Sequence, residues 1–236
     1  MQLNDPELVQ RQYASEAGLK VRRESHRRFG RGPDAFDAAF DVISKLDPRR
    51  VLEVGCGMGT FAERVARETR AEVVATDLSP RMVELARERG LDARVANVES
   101  LPFADGEFDC AVANAMLYHV EHLDRALSEL ARVLEPGGRL VAITIGGGHM
   151  GELWSLVGYQ RPERPFSREN GAEHLARHFP DVQRHDVDAE LVFPDAAAVH
   201  RYVESTIFAD EIARPLPEFE GPFRASVSAA VFVAKR

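Results

Sequence analysis

Between residues 50 and 145 the chain alternates short apolar runs with segments of helical period, and nothing else in it restricts the fold as strongly. Val51-Leu52-Glu53-Val54 reads as a buried strand that runs straight into glycines. Residues 60–69 follow as a helix whose apolar side is Phe61, Val65 and Ala66. Residues 72–76 form a second strand ending at Asp77, after which Ser79 is placed to cap a helix over 81–89, with Pro80 in its first turn and Gly90 at its end. Residues 93–96 and 108–113 read as strands, 123–134 as a helix stopped by Pro136-Gly137-Gly138, and 139–145 as a β-branched strand. Strands joined through helices imply βαβ units, a parallel sheet and right-handed crossovers with helices on both faces. Such sheets bind ligands beyond the carboxyl ends of their strands. The turn at 55–59, Asp77, Asn97 and Asn114 are therefore expected to meet along one edge.

The flanks are less regular. Residues 6–28 are charged and helical in pattern; two glycines and Pro33 break them, and a helix over 34–46 brings Phe36, Phe40, Val42, Ile43 and Leu46 near one face. After a Gly-rich connector at 146–151, helices are expected at 153–159, 172–179 and 196–205, with 162–166 irregular. Strands at 182–193 and 225–234 are placed to pair antiparallel at one edge of the sheet. The expected architecture is α/β: a seven-stranded, mostly parallel sheet with helices on both faces and an antiparallel C-terminal edge. One domain accounts for residues 1–236, with a helical lid at 1–48, a ligand-binding core at 49–146, and an insertion plus C-terminal strands at 147–236.

Composition narrows the function. A formal net charge of −8 and the lack of a basic run disfavour a nucleic-acid partner. The longest apolar runs, such as 110–120, are too short and too polar to span a bilayer, so no membrane partner is expected. The first residues carry no basic and apolar leader pattern, and two cysteines outside any CxxC suit a reducing, cytoplasmic setting. Histidines and acids show no tight ligand spacing, so no metal is expected.

The glycine turn is the chemical centre. Glycine permits both a tight turn and close approach of backbone to a ligand, and the helix that follows offers free N–H groups to a carboxylate or a pyrophosphate. A dinucleotide fingerprint after Gly55 and Gly57 needs a third glycine at position 60, which is Thr60, and no Gly-Lys-Ser/Thr follows for a P-loop. Glu53 suits an ammonium group, or anchors the loop's own N–H groups. Asp77, at the next strand tip, suits ribose hydroxyls, which does not by itself choose between nucleotide cofactors.

Four stretches then carry a resemblance. Val51-Leu52-Glu53-Val54-Gly55-Cys56-Gly57-Met58-Gly59, the run Val74 through Met82, Leu101-Pro102-Phe103-Ala104-Asp105-Gly106-Glu107-Phe108-Asp109 and the run Arg132 through Leu140 resemble, in order, the motifs of the class I S-adenosylmethionine (SAM)-dependent methyltransferases, in particular the small-molecule enzymes of the ubiquinone/menaquinone-biosynthesis type. The resemblance implies a Rossmann-like fold, SAM as cofactor and methyl transfer to a small-molecule acceptor, by O- or N-methylation. It also implies that Gly55 and Gly57 lie against the methionine part, that Glu53 holds the loop and the amino end, and that Asp77 takes the ribose hydroxyls. Leu78 and Met82 would flank the adenine, Val98 would offer a backbone N–H to it, and Asn114 would face the methionine portion. Asn97 stands where the family usually has Asp; its amide oxygen can still accept from the adenine amino group.

The sulfonium methyl arrives activated, so the protein's task is alignment, with a general base where the acceptor needs one. His119 is the candidate base. Tyr13, Tyr118 and His149 are candidates for holding the acceptor, with Arg22, Arg23 and Phe29 as further lid contacts and Trp154, Tyr159 and Phe166 as lining from the other side. An NAD-dependent oxidoreductase and a non-catalytic SAM- or S-adenosylhomocysteine-binding protein are the alternatives, and a monomer or a homodimer fits the sequence equally.

Overall fold

The computed structural model describes residues 4, 9, 11, 13, 15–212 and 215–236. In chain order the described elements are α1 (Ala17–Phe29), β1 (Gly30–Arg31), α2 (Ala35–Leu46), β2 (Arg50–Val54), α3 (Thr60–Glu68), β3 (Glu72–Asp77), α4 (Pro80–Glu88), β4 (Asp92–Val95), β5 (Phe108–Asn114), α5 (Leu123–Val133), β6 (Leu134–Ile145), α6 (Gly151–Leu156), α7 (Gly171–Ala176), β7 (Asp181–Phe193), α8 (Ala196–Glu204) and β8 (Phe223–Lys235). The strands form a single sheet in the order β1-β7-β8-β6-β5-β2-β3-β4. From β6 to β4 every pairing is parallel. β8 runs antiparallel to both β6 and β7, as expected of the C-terminal strands.

Alternation along each strand splits its side chains between two cores. Leu52, Val54, Val74, Leu140 and Ala142 face a layer closed by Leu123, Leu127 and Leu130 of α5 and Leu175 of α7. Val51, Val73, Ala75, Val141 and Ile143 face the opposite layer, closed by Phe40 and Ile43 of α2, Phe61 and Val65 of α3 and Val83 and Ala86 of α4. A period of two on the strands and 3.6 on the helices produces this directly. A third cluster, with Trp154, Phe193, Tyr202 and Phe208, sits where α6 and α8 pack against the ends of β7 and β8.

The sheet has eight strands where seven were expected. The extra one is β1, in which Gly30 and Arg31 pair with Leu191 and Glu190 of β7. Two residues carry no periodic signal, and this pairing reaches far along the chain, so the segment reads as a break in a helix. The Pro136-Gly137-Gly138 stretch also behaves differently from expectation. β6 begins at Leu134, and the register jumps from Phe108↔Leu134 to Cys110↔Arg139, so the glycines form a bulge inside the strand and do not end a helix beyond Leu134. α1 begins at Ala17, while much of the expected 6–28 helix lies outside the described residues. Among the described residues no helix is long and apolar enough to cross a membrane.

The strand order reverses at β2, which has β3 on one side and β5 on the other. A ligand crevice belongs at such a point. Ser79 caps α4 with its Oγ accepting from Met82 N, and Pro80 occupies the first turn as its sequence predicted.

Candidate functional site

A cleft of about 1260 Å³ opens over the carboxyl ends of β2, β3 and β5. That exceeds the ~300–1,000 Å³ typical of a single small-molecule site and leaves room for a cofactor beside a second molecule. Glu53, Gly55, Gly57, Asp77, Leu78, Asn97, Val98 and Asn114 all line it, as do Tyr13, Tyr118, His119 and His149.

The glycine turn forms the floor. Gly55 has φ +64°, and a Cβ there would sit 2.7 Å from Met116 Cγ, so a side chain is excluded both by conformation and by space. Gly57, at φ +55°, donates its N–H to Asp77 Oδ2 at 2.8 Å. Asp77 Oδ1 accepts from Ser79 N at 2.9 Å, so one carboxylate fixes both the turn and the start of α4. Burial pushes the Asp77 carboxyl above its ordinary range, although backbone N–H donors oppose this.

Glu53 and Asn114 end neighbouring strands and meet across them. Asn114 Nδ2 donates to Glu53 Oε1 at 3.0 Å. Both residues are buried, and Glu53 Oε2 and Asn114 Oδ1 have no partner among the described residues. Burial pushes the Glu53 carboxyl up to about 8. Two buried, unpaired acceptors are costly unless a donor arrives. An ammonium group supplies several N–H bonds and the matching charge.

Tyr13 and α1 close over this floor. The Leu19 Cδ2 atom lies 3.3 Å from where a Cβ on Gly57 would stand. Arg23 donates to Thr60 Oγ1, Ser79 Oγ donates to the Tyr13 carbonyl at 3.0 Å, and the Tyr13 hydroxyl shares a hydrogen bond with His119 Nε2 at 3.2 Å. Burial raises the Tyr13 and Tyr118 hydroxyls, and holds the buried His149 ring far below its ordinary value, with His26 stacked on it at 6.2 Å adding to the effect. Neither tyrosine gives up its proton at neutral pH, and His149 is neutral there.

Met82 departs from expectation. It is fully buried and does not line the cleft, because α4 turns Met82, Val83 and Ala86 inward while Leu78, before the helix, stays 54% exposed at the cleft's lip. Asn97 lines the cleft, but its amide oxygen already accepts from Glu99 N at 2.9 Å, leaving a single lone pair. Arg22, Arg23 and Trp154 line the cleft. Phe29 packs on Phe193, Phe166 on Phe232, and Tyr159 on Trp154 and Phe208. Arg161, Arg164, Met116 and Tyr202 line the cleft without having been singled out in the sequence. The two arginines fall in the stretch 162–166 and just before it, where no periodicity marks a facing side. Among the described residues no group of three or more His, Cys, Asp or Glu side chains converges as a metal site.

Comparison with known proteins agrees with this geometry. Residues 52–142 match a family model described as a methyltransferase domain. A malonyl-[acyl-carrier protein] O-methyltransferase of Geobacter sulfurreducens is 31% identical over 213 residues, covering 78% of this chain and 80% of that one. The enzyme of the same name from Pseudescherichia vulneris is 36% identical over 145 residues, which cover 55% of this chain and only 57% of its own length. Among solved structures, a Thermotoga maritima protein described as a SAM-dependent methyltransferase, possibly a histamine N-methyltransferase, superposes with a TM-score of 0.62 at 20% identity, covering 97% of this chain and 98% of that one. That likeness speaks for the fold.

Proposed function

Because this chain belongs to the class I SAM-dependent methyltransferases, we propose that it transfers the methyl group of SAM to a small-molecule acceptor by O- or N-methylation. The observation that carries the reading is the pair of unpartnered acceptors, Glu53 Oε2 and Asn114 Oδ1, buried beside the glycine turn. They fit the ammonium end of an amino-acid cofactor and would be left unpaired by a dinucleotide pyrophosphate. The name shared by the malonyl-carrier relatives favours oxygen as the acceptor atom.

When bound, SAM supplies a methyl group on a positively charged sulfur. Glu53 and Asn114 would hold its ammonium end, Gly55 and Gly57 would admit the chain between them, and Asp77 would take ribose hydroxyls with its remaining lone pairs. Leu78 and Val98 would border the adenine. Tyr13, Leu19 and Arg23 exclude water from above, which preserves the alignment on which the reaction depends. Isothermal titration should find binding of S-adenosylhomocysteine, and labelled SAM should pass its methyl group to a metabolite extract. Tight NAD binding with no SAM binding would overturn the reading.

His119 is the candidate base on the acceptor side, and its link to Tyr13 makes it a positioning group as well. His119→Ala should lower turnover at saturating SAM by about tenfold, the scale of a modest loss of alignment. Unchanged turnover in that assay removes His119 from the reaction.

A further inference from the structure

The half of the cleft away from the glycine turn holds Arg161 and Arg164, between α6 and α7. With 38 acidic and 30 basic side chains, this chain has carboxylates to spare for its arginines. Arg168, for example, is bridged by Asp186 and Asp188. Arg161 and Arg164 both line the cleft, and neither has a carboxylate within ion-pair distance among the described residues. The Arg161 guanidinium lies 5.3 Å from the centre of the Trp154 ring and donates one N–H to the Gly147 carbonyl at 3.0 Å. The Arg164 guanidinium lies 5.8 Å from the centre of the Tyr118 ring, and its Nε is buried with no partner. Glu169, the acid whose charge Arg164 feels, is occupied by the Gly147 N–H.

Half-buried guanidinium groups without counter-ions are unfavourable, and burial lowers the proton affinity of both. An arginine fork stacked on an aromatic face is pre-shaped for a planar or tetrahedral oxyanion. Trp154 and Phe208 pack edge to face beside it, at 5.4 Å between ring centres, and offer an apolar wall. Arg23 lies on the cofactor side, bonded to Thr60 at the start of α3 and within the field of Glu53, and Arg22 between them donates to the Ser205 carbonyl.

We propose that Arg161 and Arg164 form an anion-binding subsite that selects acceptors with an apolar body and a carboxylate or phosphate head. This rests on the methyltransferase reading and adds the acceptor's chemical class to it. The subsite is formed by residues between α6 and α7, outside the cofactor motifs, so acceptor choice and cofactor binding are separable by mutation.

Trp154 is the chain's sole tryptophan and lies under Arg161, so it reports occupancy directly. The full chain would be titrated with hexanoate, hexyl phosphate and neutral hexanamide while its fluorescence is followed, with and without S-adenosylhomocysteine. At least one of the two anions should give a saturable change, and hexanamide should bind at least about tenfold more weakly, the scale of a lost charged hydrogen bond. The stronger of the two anions tells carboxylate from phosphate. The doubly substituted Arg161→Gln, Arg164→Gln chain should lose the anion response by about tenfold or more while holding S-adenosylhomocysteine within about threefold of the parent. Arg164→Lys, which keeps the charge and loses the fork, should fall between them. Hexanamide binding as tightly as the stronger of the two anions, no saturable response to either anion, or an unaltered anion response in the double variant overturns the subsite. A double variant that folds but loses S-adenosylhomocysteine affinity assigns these arginines to the cofactor and overturns it too. Failure of the parent chain to bind S-adenosylhomocysteine counts against the methyltransferase reading alone, since the anion titration without it still tests the subsite.

Discussion

Asp77→Ala should weaken S-adenosylhomocysteine binding by at least about a hundredfold, with the fold retained. Two effects add. The carboxylate holds Gly57 N at 2.8 Å and Ser79 N at 2.9 Å, and its loss leaves both N–H groups without their acceptor. The glycine turn, held at φ +64° and +55°, then loses the constraint that shapes it. The ribose contacts assigned to the same oxygens disappear as well. A hydrogen bond to a charged group contributes about 1.5–3 kcal/mol. Two such losses amount to about 3 kcal/mol or more, which is about a hundredfold in affinity. Asp77→Asn separates the effects, since the two N–H groups face different carboxylate oxygens and the amide presents an oxygen at only one of those positions. It should fall between the parent and the alanine variant. Titration calorimetry on chains of matched melting temperature decides the matter, and an alanine variant that binds within about threefold of the parent contradicts the role given to Asp77.

What could be read from the sequence follows the distance over which each feature is determined. The parallel strands, the glycine turn, the Ser79 cap and the convergence of Glu53, Asp77 and Asn114 all follow from local pattern together with one topological rule. β1 escaped because two residues gain their meaning only by pairing with Leu191 and Glu190. Met82 was misplaced because the motif gives its position in the chain, whereas the phase of α4 about its own axis decides which way it points, and that phase buries it. Asn97 shows a finer gap, since its oxygen is engaged by a turn of its own, with Glu99. Arg161 and Arg164 lie in an irregular stretch, and only packing on Trp154 and Tyr118 turns them toward the cleft. The cofactor half of the site is therefore a property of strand tips, and the acceptor half a property of tertiary packing.

Glu53, if it holds the ammonium end as proposed, should make cofactor binding a pH-dependent event. In the free protein burial holds its carboxyl at about 8, so near neutrality most molecules keep the proton. The unfolded chain releases that proton near the ordinary glutamate value of about 4.3. Across roughly pH 4.3 to 8 the folded state therefore binds more protons than the unfolded one, and this residue lowers stability as pH rises through that window, at up to about 1.4 kcal/mol per unit. Glu53→Gln keeps the hydrogen bond with Asn114 and removes that slope, so its melting temperature should meet or exceed the parent's at pH 8. Binding works in the opposite direction. An ammonium group beside Oε2 favours the carboxylate and expels the proton, so S-adenosylhomocysteine affinity should rise between pH 6 and 8 by up to about tenfold per unit. The Gln variant should bind weakly with an affinity flat in pH, and the parent should release a proton measurable from the buffer dependence of the binding enthalpy. A parent affinity that is flat over the same range would mean that Glu53 is ionised in the free protein, or that the ammonium group is held elsewhere. Glu53→Gln separates these, since only the first still predicts a large loss of affinity.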